Sequence, residues 1–138
     1  MYDYTPSELI RARAQAFARG DFSFIFDTYH SESNFRRHFF TRQEYLQFAQ
    51  ASLGQDYQIL NCQILAEAVG DYEAQVIYLM EMNFQGNLQR YAELAWLQRE
   101  NHAWRYHRGQ KITDEELPEA PESLGFADFA KLDPATIF

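Results

Sequence analysis

The stretch Tyr72-Glu73-Ala74-Gln75-Val76-Ile77-Tyr78-Leu79-Met80-Glu81-Met82-Asn83-Phe84 decides the fold. Tyr72, Ala74, Val76, Tyr78, Met80, Met82 and Phe84 alternate strictly, the period of a β-strand rather than a helix. Gln85-Gly86-Asn87 then reads as a hairpin turn, and a third strand returns over about Leu88–Arg99. Gly70-Asp71 makes the preceding turn, with a first strand over about Tyr57–Ala68. Asn101-His102 turns the chain into a short fourth strand, Trp104–Arg108, ended by Gly109. Strands longer than about ten residues in a small domain must twist and curl, so the sheet has a concave face.

Upstream of Gly54 the apolar period is 3.6. Thr5-Pro6-Ser7-Glu8 is a capping box with proline at the first helical position. Leu9, Ile10, Ala14, Phe17 and Ala18 follow on one face, and Gly20 stops the helix. Asp21 caps a second, shorter helix carrying Phe22, Ile25, Phe26 and Tyr29. Residues 31–40 read as a loop pinned to the core by Phe35, Phe39 and Phe40. Thr41-Arg42-Gln43-Glu44 opens a third helix with Tyr45, Phe48, Ala49 and Leu53, terminated by Gly54. The expected fold is α+β: N-terminal helices packed on a curled four-stranded antiparallel sheet, forming a cone. Residues 1–109 make this domain. Residues 110–138 form an acidic tail whose Leu124, Phe126, Phe129, Leu132 and Phe138 are apolar enough to pack on the body or on a partner subunit.

Composition narrows the function classes. Net charge is −8, and five of those charges lie after Gly109, where seven acids face Lys111 and Lys131. With no basic face, nucleic acid is not an expected partner. No apolar run approaches the roughly 20 residues that cross a bilayer, and the N-terminus has no basic-then-apolar leader, so the expectation is a cytoplasmic protein with no membrane partner. The one cysteine, Cys62, sits between Leu60 and Ile64 and reads as a buried inert thiol. No histidine spacing suits a metal, and no glycine-rich phosphate loop exists, so neither metal nor cofactor is expected. Aromatic residues are 17% of the chain, enough to fill a core or to line a pocket.

A few residues carry candidate chemistry. His30, at the end of the second helix, either caps that helix or offers an imidazole at the mouth of the cone. Arg13 lies on the apolar side of the first helix and needs an anionic ligand or a carboxylate partner, for which Glu81 and Glu93 are candidates. Glu81 and Glu93 themselves are candidate general bases, because an interior carboxyl enclosed by rings is raised in pKa. Tyr29 and Tyr78 accompany them. Trp96 and Trp104, with Tyr106, offer flat surfaces for a ligand, or form ordinary cross-strand pairs. His102 reads as a solvated turn residue and His107 as an exposed residue of an edge strand.

The run Thr5-Pro6-Ser7-Glu8-Leu9-Ile10-Arg11-Ala12-Arg13, with Ala16-Phe17, Gly20-Asp21, Phe24-Ile25 and Thr28-Tyr29-His30, resembles the start of the YchJ-like domain family, where a similar run ends in Thr-Trp-His. Arg99-Glu100-Asn101-His102-Ala103-Trp104-Arg105-Tyr106 resembles that family's terminal hairpin. The resemblance covers about residues 5–109. It implies the nuclear transport factor 2-like, or cystatin-like, fold, a curled sheet cupping helices, and says far more about fold than about activity. Some members carry cysteine-rich SEC-C zinc motifs, which this chain lacks. Glu93-Leu94-Ala95-Trp96-Leu97 replaces a more polar, arginine-containing run, so the resemblance implies a more apolar pocket here.

Two functions fit these readings. One is a small-molecule-binding or protein-interaction domain, homodimeric through its sheet. The other is an isomerase or dehydratase-type enzyme with His30, Glu81 or Glu93 as general base.

Overall fold

The capping box forms as the sequence predicts: the Thr5 amide donates to Glu8 Oε1 at 2.9 Å, and the Glu8 amide donates to Thr5 Oγ1 at 3.2 Å. Helix α1 follows over Pro6–Arg19, and Gly20 ends it in the left-handed region at φ 72°, where a β-carbon is disfavoured. Asp21 then caps α2 (Phe22–Asp27) by accepting the Phe24 amide. The computed structural model describes residues 3–39, 41–52 and 57–138. The expected roles of Phe40, Leu53 and Gly54 lie outside the described residues.

The segment after α2 departs from the loop expectation. A short helix, α3, occupies Asn34–His38, because Ser33 accepts the Arg36 amide as a cap. Phe35 holds it in place, stacked on Tyr29 at 3.8 Å between ring centres. The helix expected third is therefore the fourth, α4 (Arg42–Ser52), opened by the Thr41–Glu44 capping box. Phe22, Phe26, Tyr45 and Ala49 are buried together between α2 and α4.

Four antiparallel strands run in sequence order: β1 (Tyr57–Val69), β2 (Glu73–Phe84), β3 (Asn87–Glu100) and β4 (Ala103–Ile112). The turn between β2 and β3 puts Gln85 and Gly86 at positive φ, the geometry that keeps a two-residue hairpin aligned with strand twist. Register shifts lie between Ile59 and Asn61 and between Ile64 and Ala66 in β1, and between Trp96 and Leu97 in β3. Such bulges add bend and twist. Gly109 does not end β4. It pairs with Ala95, and the strand continues to Ile112, so Lys111 stands beside Glu93.

Alternation divides the strand residues between two faces. Val76, Tyr78, Met80, Ala95, Leu97, Trp104 and Tyr106 meet Leu9, Ile10 and Ala14 of α1 on the concave side. Ile77, Leu79, Ala92, Leu94 and Ile112 face the convex side. There the tail lies over them through Leu124 and Phe129, the latter from helix α5 (Phe126–Ala130) and 1% exposed. A sheet-mediated homodimer would bury this same face, and the chain's own tail already occupies its β2–β4 part. The tail then returns to the sheet edge, where Phe138 and Gly109 exchange two backbone hydrogen bonds of 2.8 and 3.0 Å.

Removing the Phe129 ring should cost about 3–5 kcal/mol, the range for emptying a filled aromatic site. Urea unfolding of Phe129→Ala checks this; wild-type stability in the variant would show that the tail contributes nothing to the folded body.

Candidate functional site

A cavity of about 1280 Å³ lies between the helices and the concave face of the sheet. Its walls are largely apolar, with Ile10 and Phe17 from α1, Ile59 from β1 and Met80 and Met82 from β2. Polar groups converge at one place on this wall. Tyr78, Glu93 and Lys111 are paired neighbours across β2, β3 and β4. Arg13 approaches from α1 and Tyr106 from β4, while Tyr29, expected on the second helix, lies beyond its end at Asp27 and bridges to Tyr106.

Glu93 is the centre of this group. It is 2% exposed, and the Tyr106 hydroxyl donates to its Oε2 at 2.5 Å. Tyr78 also acts on the same carboxyl. Burial pushes the Glu93 carboxyl above its ordinary value, against the pull of Lys111, Tyr106, Tyr78 and Arg13. Burial and the Glu93 charge push the Tyr78 and Tyr106 hydroxyls up as well, so both are neutral donors at ordinary pH. Gly109 makes room for the pair. A β-carbon there would press on the Tyr106 hydroxyl and stand 2.7 Å from Glu93 Oε2.

Arg13 departs from the expected ion pair. Among the described residues no carboxylate lies within ion-pair distance of it. Its Nη1 instead donates to the Ile25 carbonyl at 3.1 Å and to Thr28 Oγ1 at 2.6 Å. The guanidinium lies 4.4 Å from the Tyr29 ring centre and 4.7 Å from that of Tyr106. Both distances are within cation–π range. The α2 terminus thus holds the arginine by its terminal Nη1, and the two rings, edge-on to each other at 5.3 Å, stand to one side of the guanidinium.

Other sequence candidates lie elsewhere. His30 is buried but does not line the cavity. Its amide donates to the Tyr106 carbonyl, its Nδ1 accepts the Glu32 amide at 3.0 Å, and its ring neighbours His107. This fixes His30 as a junction between α2 and β4. His107 is half-buried rather than an exposed edge residue, and burial, Arg108 and His30 hold its imidazole below its ordinary value. Glu81 has the opposite strand parity to Tyr78 and Met80, so it projects away from the cavity, near Asn61 Nδ2. Trp96 shares that convex side and carries Arg108 over its ring at 4.7 Å. Trp104 is buried in the core with Arg99 over its ring. Of the named candidates, the cavity brings together Arg13, Tyr29, Tyr78 and Glu93. Sequence reasoning missed Tyr91 and Lys111, and took Tyr106 only as a stacking surface. Cys62 is half-buried, and burial pushes its thiol up to about 11.

The family model described as YchJ, middle NTF2-like domain, matches residues 5–109. The chain belongs to this YchJ-like family. A similar solved structure is a SEC-C motif containing protein from Rhodopseudomonas palustris, 19% identical, with 78% of this chain and 79% of that chain covered and a TM-score of 0.62. Another is a putative Ca/calmodulin-dependent kinase II association domain from Exiguobacterium sibiricum, 13% identical, with 82% and 97% covered and a TM-score of 0.52. At these identities the likeness is one of fold. Comparison with curated proteins finds no match. The YchJ-like match stops at Gly109, so Lys111 and the tail residue Phe138, both at the cavity, lie outside it.

Two outcomes follow from the Glu93 geometry. Below the ordinary carboxyl value of 4.5, folded and unfolded chains both hold the Glu93 proton. As pH rises past that value the unfolded chain releases it first, so the fold loses stability until the raised folded-state carboxyl also ionises. Glu93→Gln should remove this decline: in urea unfolding at successive pH values, variant stability should gain on wild type above pH 4.5 and then level. A difference that stays flat across pH contradicts the assignment. Gly109→Ala should cost about 1–3 kcal/mol by overpacking against the Tyr106–Glu93 pair, read by thermal or urea unfolding.

Proposed function

We propose that this domain binds a small organic molecule in the cone between α1 and the sheet. The observation that carries the reading is the cavity itself: apolar walls leading to one cluster of arginine, tyrosine and a buried carboxyl. Pockets that recognise small molecules combine a mainly apolar lining with a few convergent polar groups. A filled hollow would have argued for a structural domain.

A second reading, an isomerase or dehydratase-type proton transfer, is favoured by one observation, the Tyr106–Glu93 hydrogen bond inside the cavity. Glu93 would be the base and a tyrosine hydroxyl the donor to a developing oxyanion. His30 and Glu81 have no part in it, because neither reaches the cavity. As for partners, a homodimer through the sheet would use apolar surface that the tail leaves exposed, such as Leu60 of β1, which is half exposed.

The binding reading is tested with a neutral apolar fluorophore, N-phenyl-1-naphthylamine. Wild type should enhance and blue-shift its emission saturably. Met82→Trp, which places a larger ring in the lumen, should weaken binding by about tenfold or more while circular dichroism stays native. Absence of binding to wild type, or equal binding by a folded Met82→Trp protein, would overturn the proposal.

A further inference from the structure

Resting on the cavity reading above, we infer that the ligand is a monocarboxylic acid with an apolar body, its carboxylate received by Arg13. This guanidinium lines the cavity and has no ion pair among the described residues. Its Nη1 donates to a backbone carbonyl and a threonine hydroxyl, and the Tyr29 hydroxyl also interacts with the guanidinium. No described carboxylate is within ion-pair reach. A half-buried guanidinium without an anionic partner is costly to keep unless an anion completes it.

The surroundings choose among anions. Tyr29 and Tyr106 stand 4.4 and 4.7 Å from the guanidinium by their ring centres and meet each other edge-on at 5.3 Å, so both rings lie to one side of it and do not sandwich it. A planar fork of donors matches a carboxylate in a bidentate way. Glu93, held by Tyr106, stands in the same cluster. A dianionic phosphate would meet that carboxyl with two charges and have a single guanidinium to offset them. Lys111 is already set against Glu93, its cross-strand neighbour, from an exposed position at the rim, 4.5 Å from the Tyr91 ring centre and 5.2 Å from that of Phe138. A single negative charge fits this arrangement, and a second one does not. The rest of the ligand lies against Ile10, Ile59, Met80 and Met82, so it is apolar.

The test compares 1-pyrenebutyrate with its neutral isostere 1-pyrenebutyramide, by fluorescence anisotropy at neutral pH. Wild type should bind the acid about tenfold or more tightly than the amide, the scale of one charge-assisted bidentate contact. Arg13→Met should abolish the preference while the amide binds as before. Should Arg13→Met fail to fold, Glu93→Gln serves in its place. If Arg13 is the receptor, the preference survives or grows when the competing carboxyl is neutral; if it disappears, Glu93 is the receptor and the inference falls. Equal binding of acid and amide by wild type, or a preference that persists in a folded Arg13→Met protein, also overturns it while leaving the cavity reading intact. Failure of wild type to bind either compound removes the cavity reading as well.

Discussion

Every side chain on a β-strand is committed to one of two faces by the pleat, and here both faces are apolar. β2 shows the consequence most clearly, since Ala74 and Val76 through Met80 are buried without a break. A sheet of this kind needs cover on each side. Helices supply it on the concave side and the tail supplies it on the convex side. Register carries the same weight: a slip of one residue would exchange the two sets, turning Glu93 outward and Trp96 inward. The position of the buried carboxyl is therefore a matter of parity before it is a matter of chemistry.

The cavity lies between the helices and the concave face of the sheet. Rings span the gap toward the open end. Phe17 meets Tyr57 edge-on at 5.8 Å, and Tyr57 stacks on Phe84 at 4.5 Å. Aromatic pairs of this sort add about 0.5–1.5 kcal/mol each beyond area burial. The polar cluster works in the opposite direction. Removing a carboxyl from water costs several kcal/mol when it is ionised, and the Tyr106 hydroxyl offsets only part of that. The fold tolerates Glu93 because a raised pKa lets the group keep its proton over more of the pH range.

Much of the fold was legible in the sequence. Capping residues mark the starts of α1, α2 and α4, and the change of period near Tyr57 marks the sheet. Two features were hidden. Helix α3 is too short for periodicity to reveal, and its anchor, the stacking of Phe35 on Tyr29, is a tertiary contact. The continuation of β4 beyond Gly109 was masked by reading glycine as a terminator, whereas here it makes space for Tyr106 and Glu93. That error concealed Lys111, which enters the cluster only through register with Glu93. Arg13 and Glu93 were visible as polar residues on apolar faces. Tyr91 was readable by parity with Glu93 but had no distinguishing chemistry. His30 misled because the end of a helix looks like the mouth of a cone, and here it is a seam closed by backbone hydrogen bonds to Tyr106.

The pairing of Phe138 with Gly109 ties two surfaces that otherwise never meet. The segment that seals the convex face with Phe129 is the one whose final ring stands at the cavity rim beside Lys111. Occupancy of the cavity, on the proposed reading, would be thermodynamically linked to tail attachment. Any ligand that gains free energy from contact with the Phe138 ring lends that same free energy to the docked tail, and a loosened tail withdraws it from the ligand.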